Sequence, residues 1–154
     1  MKIKKKQNFF FKFGLLAVTA LFLCSCTSLG GVKYTEPHLP RDKAAIYVYR
    51  PSTFVGGAVV YPIFINNKKV TTLPHTAYYA YFADPGSVFV TARTPENEAS
   101  VKLNVKAGKE YYIKGGTATG HFSGRATLHQ VHPEQGAQEI KKCAYYPAHD
   151  ELKK

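Results

Sequence analysis

Two cysteines near the amino terminus lie in the stretch Leu23-Cys24-Ser25-Cys26, where cleavage and acylation chemistry is possible. An aliphatic residue and two small residues before a cysteine are typical of a site where the chain is cut and the new terminal cysteine is acylated. Five lysines lie within residues 1–12, and the eleven residues 13–23 are uncharged and mostly apolar. This order of segments is typical of a secretory signal peptide. We therefore predict cleavage before Cys26 and lipid attachment to its thiol; the alternative is an uncleaved or simply secreted chain.

The predicted lipid would hold the protein at a membrane. The apolar stretch is shorter than the roughly 20 residues that a spanning helix needs. Several acyl chains anchor a protein stably, whereas a single chain does so only marginally. Thr27 and Ser28 follow the cysteine, at positions where an acidic residue would favour retention at the inner membrane. The sequence therefore predicts a bacterial outer-membrane location, facing the periplasm.

The formal net charge of +11 over 154 residues overstates the basic character of the processed chain. Removal of residues 1–25 takes away five lysines and no acid, which leaves 16 basic and 10 acidic residues. Such a modest excess does not favour a phosphate-backbone interface, and nucleic acid is absent from that compartment. We expect no nucleic-acid partner.

Three histidines are the first candidates for metal ligands. His129 and His132 are three residues apart, and His121 lies eight residues before the pair. On a strand, positions three apart point to opposite faces, so the pair cannot chelate without a bend. We expect no metal.

Other signs of catalysis are weak. Cys143 is the one cysteine left after processing, so an internal disulfide is not possible. We expect it to be buried, with pairing to another chain as the alternative. The sequence has no G-x-S-x-G nucleophile motif. The glycine-rich stretch 115–120 lacks the Lys-Ser/Thr of a phosphate-binding loop. We predict a protein that is not an enzyme and holds no cofactor.

Two aromatic features are candidates for a binding surface. In residues 120–125, two glycines flank His121 and Phe122, with Arg125 beside them. This segment could present a contact surface, or else Phe122 is core and Arg125 caps a sheet edge. Strand alternation places Tyr79 and Tyr81 on one face and two other aromatic residues on the opposite face. The outward set could form an aromatic ridge, or else pair across strands within the sheet.

The elements that must position these residues are short strands separated by turn signals. Residues 26–43 are predicted to be a tether, residues 44–143 a single globular domain and residues 144–154 a polar tail. Residues 134–142 have a weak helical pattern that Gly136 interrupts. Pro62 suggests an edge or a bulge in its strand. The predicted strands cover residues 45–50, 59–65, 69–73, 77–83, 87–94, 101–106, 110–114 and 125–131. We predict an all-β fold, a single antiparallel two-layer β-sandwich of about seven or eight strands, with a small barrel as the alternative.

Five segments together resemble a known bacterial family. They are residues 44–51 (AAIYVYRP), 64–69 (FINNKK) with a leucine at 73, 84–86 (DPG), 107–113 (AGKEYYI) and 122–125 (FSGR). In this order they resemble the family catalogued as domain of unknown function 2846, over about residues 44–132. The hairpin and PG turn also bear a weaker, local likeness to the PEGA module. The resemblance implies a β-sandwich in a small envelope lipoprotein, and it implies no catalytic residues.

From these patterns we expect a lipid-anchored binding or scaffolding module for another envelope protein. A binder of glycan, peptidoglycan or lipopolysaccharide is one alternative. An inhibitor of a foreign hydrolase is the other.

Overall fold

A computed structural model of the protein describes residues 38–53 and 56–150. The predicted cleavage site, Cys26 and most of the predicted tether lie outside these residues. Within them, no helix is long and apolar enough to span a membrane. The elements are β1 (Ala44–Arg50), β2 (Tyr61–Ile65), β3 (Lys68–Leu73), β4 (Ala77–Ala83), β5 (Gly86–Arg93), β6 (Glu98–Val105), β7 (Glu110–Ala118), β8 (Arg125–Val131), α1 (Pro133–Ile140) and β9 (Ala144–Tyr145).

The strands form two sheets. Sheet A has the order β8-β7-β1-β4-β9, and sheet B has the order β3-β2-β5-β6. Sheet B is antiparallel throughout, but in sheet A β1 runs parallel to β7 and β4 runs parallel to β9. The prediction of an antiparallel fold is therefore wrong for sheet A. The chain leaves sheet A after β4, builds the β5–β6 hairpin in sheet B, and re-enters sheet A beside β1 in the direction of β1.

The two sheets share one buried cluster, which we call the inter-sheet core. Sheet A contributes alternate residues of β1, such as Ile46 and Val48, and sheet B contributes alternate residues of β2, such as Ile63 and Ile65. All seven residues of β1 are buried, because its other alternate residues lie in a second cluster on the outer face of sheet A. This outer cluster comprises Ala45, Tyr47, Tyr49, Tyr78, Tyr112, Ile140 and Cys143.

Helix α1 helps to cover the outer face of sheet A. The weak helical pattern of residues 134–142 thus corresponds to a helix, but the prediction of an all-β fold did not include a helical cover on a sheet. Gly136 is buried against β7, and a Cβ atom added there would overlap the side chain of Tyr112. The glycine that weakens the helical pattern therefore lets the helix approach the sheet closely. Cys143, just after the helix, is 3% exposed, which confirms the prediction that it is buried.

A polar network links the helix to the sheet at the border of the outer cluster. The Glu139 carboxylate accepts hydrogen bonds from the hydroxyl of Tyr49 at 2.8 Å and the amide of Gln135 at 2.9 Å, and pairs with Lys114 at 2.8 Å. Burial opposes its ionisation, but these donors outweigh burial and lower the pKa of Glu139 to about 2. The helix is thus attached by charged hydrogen bonds as well as by apolar packing.

The first residues of the predicted polar tail, residues 144–149, form hydrogen bonds with both sheets. The backbone N–H of Tyr146 donates to the carbonyl of Tyr78 at 2.8 Å, and the backbone N–H of His149 donates to the carbonyl of Val70 at 2.7 Å. The Thr71 hydroxyl also donates to the carbonyl of Pro147 at 2.8 Å. Residues 144–149 therefore lie along β4 and β3 and connect the edges of the two sheets.

Local turn signals correspond closely to the structure. Asn66 and Asn67 have φ angles of 48° and 64°, the left-handed pair that a tight hairpin turn requires. Pro62 lies in an inner strand of sheet B, and the β2–β3 register shifts between Ile63 and Phe64. Of the two predicted alternatives for Pro62, an edge or a bulge, the nearby irregularity supports the bulge.

Candidate binding surface

Residues 119–124 connect β7 to β8, and we call this segment the Phe122 loop. Phe122 is 96% exposed, whereas the other two large apolar residues described as exposed, Val60 and Phe89, are 51% and 47% exposed. The sequence left open whether Phe122 is core or surface, and its side chain lies in solvent. Aromatic residues are enriched at protein interfaces, so this exposed ring is a candidate contact residue.

One carboxylate holds the backbone of the Phe122 loop. Glu96, in the turn between β5 and β6, accepts hydrogen bonds from the backbone N–H groups of His121 at 2.8 Å, Phe122 at 2.5 Å and Ser123 at 2.5 Å. The bonds from Ser123 and Phe122 contribute most to lowering the pKa of Glu96 to about 2. Three consecutive amides that converge on one anion fix the backbone from which the Phe122 side chain projects.

The neighbouring residue attaches the same turn to β8. Asn97 donates from Nδ2 to the carbonyl of Ala126 at 2.8 Å and accepts at Oδ1 from the Ala126 N–H at 2.8 Å. Its backbone also closes the turn, because the N–H of Thr94 donates to the Asn97 carbonyl at 2.9 Å. A turn of sheet B therefore fixes both the Phe122 loop and the first residues of β8 in sheet A.

The two glycines of the loop have different physical roles. A Cβ at Gly120 would overlap the carboxylate of Glu96, so glycine leaves the space that the anion occupies. Gly124 has a φ angle of 80°, which is strained for residues with a side chain. The two glycines of residues 120–125 are therefore explained by the space that Glu96 needs and by the backbone conformation of the loop.

Arg50 holds the neighbouring connection between β1 and β2 from inside the domain. It is 1% exposed, and it donates to the carbonyls of Val59 at 2.5 Å and Leu73 at 3.0 Å and to the hydroxyl of Thr117 at 3.0 Å. Its guanidinium also lies 4.5 Å from the ring centroid of Tyr61, and burial lowers its pKa. Because its acceptors are backbone and hydroxyl oxygens, we assign Arg50 a role in positioning loops.

The structure separates the predicted surface residues into two groups. His121, Phe122 and Arg125 are exposed and lie within one short stretch, and the rings of His121 and Phe122 are 6.5 Å apart. Tyr79 is 8% exposed and lies in the inter-sheet core, and Tyr81 is half-buried against that core. Tyr79 therefore does not belong to an exposed ridge, because both faces of β4 are covered.

The histidine pair does not form a site with other ligands. His129 is exposed on β8, and His132 precedes the first residue of the helix. Among residues 38–53 and 56–150, no three His, Cys, Asp or Glu side chains are grouped so that they could hold a metal ion.

Sequence reasoning missed Glu96 and Asn97, the residues that fix the loop. They lie about 25 positions before their partners, in a turn that shows no local motif. Only the glycines of the loop gave a signal, and glycine spacing does not identify a distant carboxylate.

Comparisons with known proteins place the chain in a family. The model of a family described as "Protein of unknown function (DUF2846)" matches residues 40–126. An uncharacterized protein of Haemophilus influenzae is 23% identical over 137 residues, which cover 84% of this chain and 81% of that protein. No solved structure matches the chain. The weaker likeness to the PEGA module stays a prediction. The family match covers more than half of the sequence and confirms the resemblance seen in the five segments, so the chain belongs to the DUF2846 family of proteins of unknown function.

Proposed function

We propose that this protein is a lipoprotein of the bacterial outer membrane, anchored through acyl groups on Cys26, that binds another envelope protein through the Phe122 loop. The domain is a non-catalytic two-layer β-sandwich, and residues 26–43 tether it to the membrane. The observation that carries the proposal is the 96% exposure of Phe122 on a loop held by the Glu96 carboxylate.

The energetic argument begins with the exposed ring. Burial of a phenylalanine side chain contributes roughly 1.5–3 kcal/mol, so Phe122 can supply a large part of the binding free energy of a modest interface. A flexible loop would lose conformational entropy when it binds, which reduces affinity. The three amide bonds to Glu96 order the loop before the partner arrives, and they therefore reduce that loss.

The residues around the ring suit a protein partner. The exposed His121 ring lies 6.5 Å from the Phe122 ring, and exposed Arg125 follows three residues later at the start of β8. Interfaces commonly combine a buried aromatic anchor with arginine and a polar rim. We therefore expect the partner to offer an apolar pocket for the Phe122 ring.

The state of Cys143 supports a non-catalytic role. It is the only cysteine among residues 38–53 and 56–150, and its sulfur lies 3.5 Å from the carbonyl oxygen of Arg50. Burial raises its pKa to about 11, so the thiolate that a nucleophile requires is scarce at neutral pH. Its environment fits a packing role.

Mass spectrometry of the membrane-extracted protein tests the anchor. We expect the native chain to lack residues 1–25 and to carry acyl groups on Cys26, and the Cys26→Ala variant to lack those groups and leave the membrane fraction. An intact or unacylated amino terminus would refute the anchored-lipoprotein half of the proposal.

Crosslinking in living cells tests the partner. A photoreactive phenylalanine analogue replaces Phe122 in one strain and the half-exposed Phe89 in a control strain. We expect one protein adduct that forms from position 122 and not from position 89. Mass spectrometry of the adduct identifies the partner.

Affinity for the identified partner then tests the energetic argument. We expect Phe122→Ala to weaken binding by roughly 10- to 100-fold, as loss of a buried aromatic anchor predicts. The Phe89→Ala variant is the matched control and should bind like the native protein. If both variants bind the partner like the native protein, the Phe122 loop is not the docking site.

A further inference from the structure

The outward face of sheet B is a second surface, distinct from the Phe122 loop, and we call it the open face. Along β5, Val88, Val90 and Ala92 point into the inter-sheet core, so the residues that alternate with them point outward. The residues of the open face on β2, β5 and β6 are Phe64, Phe89, Thr91, Arg93, Ser100, Lys102 and Asn104. Helix α1 lies on sheet A, and Phe89 remains 47% exposed.

Aromatic rings and cations are paired across this face. The Arg93 guanidinium lies 4.2 Å from the ring centroid of Phe64, and Lys102 Nζ lies 5.4 Å from that of Phe89. Phe89 and Lys102 are also direct cross-strand partners. Each ring is therefore accompanied by a cation that can contact a ligand lying on the ring.

The charges of the open face are mostly positive. Arg93 and Lys102 lie on it, and Lys69 is the cross-strand partner of Phe64. Glu98 is the carboxylate paired with Arg93, at 2.7 Å from its Nε atom. Arg93 is thus paired much as Lys114 is paired with Glu139 on sheet A, whereas Lys69 and Lys102 form no salt bridge within residues 38–53 and 56–150. The open face therefore complements an anionic ligand.

The dimensions favour an extended ligand. Phe89 and Arg93 are four residues apart on β5, which corresponds to roughly 13 Å along a strand. Between them, the Thr91 hydroxyl is hydrogen-bonded to Ser100 at 2.8 Å, and Thr91 is only 5% exposed. The open face is therefore long enough for an extended ligand, and the hydrogen bond between Thr91 and Ser100 holds its centre.

We propose that the open face binds an acidic polysaccharide. The apolar side of one sugar ring stacks on Phe89, and carboxylate groups along the chain contact Lys102 and Lys69. Burial of the C–H face of a sugar ring against an aromatic ring provides apolar contact, while the cations confer selectivity for charged sugars. A lipid surface fits less well, because half of Phe89 is already covered within the flat sheet and the ring does not project as an inserting side chain must.

A titration of the full-length, membrane-extracted protein in non-ionic detergent tests this inference. The probes in detergent are polygalacturonate oligomers and uncharged dextran oligomers of equal length. Binding to vesicles with and without phosphatidylglycerol is measured separately, after the detergent has been removed. We expect binding to polygalacturonate that weakens with salt, and little binding to dextran.

Variants locate the binding site. We expect Phe89→Ala to weaken polygalacturonate binding by about tenfold and Lys102→Gln by several-fold. Phe89→Tyr retains the ring and should bind like the native protein, which separates stacking from folding. Phe122→Ala should also bind normally, so this result does not depend on the function proposed for the Phe122 loop.

Three outcomes would overturn the inference. The first is unchanged polygalacturonate binding by Phe89→Ala, which would indicate nonspecific attraction between charges. The second is equal affinity for dextran, which would exclude a role for the cations. The third is binding to phosphatidylglycerol vesicles but not to polygalacturonate, which would assign the open face to a membrane surface.

Discussion

Sheet A and sheet B bury their outward faces to different degrees. Tyr47 points outward from β1, an inner strand of sheet A, and is fully buried in the outer cluster. Phe89 points outward from β5, an inner strand of sheet B, and is 47% exposed. Both residues are aromatic and occupy equivalent positions within their sheets. Their exposure differs because the segment from α1 to β9 packs on the outer face of sheet A, where Tyr47 lies.

The sequences of the two strands reflect this difference. In β1 all seven residues are buried, whereas β5 places Val88, Val90 and Ala92 inward and leaves Phe89 half-exposed. A sheet that is buried on both faces commonly contains parallel pairs, as sheet A does, while a sheet with a solvated face is commonly antiparallel, as sheet B is. Sheet A is therefore covered on both faces, and sheet B keeps part of one face in solvent.

The largest effect should come from the covered face. We expect Tyr47→Ala to destabilise the fold by about 3–5 kcal/mol, because a fully buried aromatic side chain is removed and a cavity remains. Its ring also stacks on that of Tyr112, with centroids 4.9 Å apart. Urea unfolding of native and variant protein measures the change. A loss below about 1 kcal/mol would mean that the helix does not cover this face in solution.

A substitution in helix α1 also tests whether the helix covers sheet A, because the direction of the stability change depends on whether the helix is docked. In an isolated helix, alanine is more favourable than glycine by about 1 kcal/mol. In the docked helix, however, a Cβ at Gly136 would overlap Tyr112, and such overpacking costs about 1–3 kcal/mol. We therefore expect Gly136→Ala to lower the free energy of unfolding.

The matched control for that substitution is Gln138→Ala, at an exposed position of the same helix. Its effect should lie within about 0.5 kcal/mol. If Gly136→Ala raises stability instead, the helix is not packed against β7.

The sequence predicted the local features of the fold well. The predicted bounds 77–83 and 125–131 are those of β4 and β8, and the turn between the predicted strands 59–65 and 69–73 lies at Asn66 and Asn67. These features depend on strand alternation, turn residues and short-range sterics, and all three are determined by residues close together in the sequence. The exposed Phe122 was also among the candidates, since flanking glycines indicated a loop.

Long-range features could not be predicted in the same way. The parallel pairing of β1 with β7 joins Ala45 to Glu110, and no local pattern specifies that register. Glu96 is one of ten acidic residues, and only the fold brings it to His121. The aromatic run of β4 gave a misleading prediction for Tyr79, because strand alternation separates the two faces of a strand but does not reveal which face points into the core.

A smaller effect, with a pH signature, should come from the contact between the two sheets at the Phe122 loop. The pKa of Glu96 falls from 4.5 to about 2 in the folded protein, so the unfolded state binds more protons in that range. The stability that this carboxylate contributes is fully present above about pH 4.5 and is lost as the pH falls toward 2. We expect Glu96→Gln to be less stable than the native protein at pH 6. The difference in stability between the two proteins should be smaller at pH 3, where the native protein has lost part of this contribution.

Hydrogen exchange locates this effect. Exchange at the amides of residues 121–123 should be faster in Glu96→Gln at pH 6. The control Glu98→Gln removes a carboxylate of the adjoining strand that bonds Arg93, and it should leave the exchange of these amides unchanged. Equal exchange in both variants would mean that Glu96 does not hold the loop.

The smallest effect on stability should come from the open face, and it completes the comparison with Tyr47. Phe89 is already 47% exposed, so Phe89→Ala removes only part of the burial that a core phenylalanine provides. We expect a loss of about 1 kcal/mol or less, measured by the same urea unfolding used for Tyr47→Ala. A loss near 3 kcal/mol would show that Phe89 is packed like Tyr47, and the open face would then be covered and closed to ligands. A small loss leaves the ring available, because a side chain that contributes little to folding can be retained for binding.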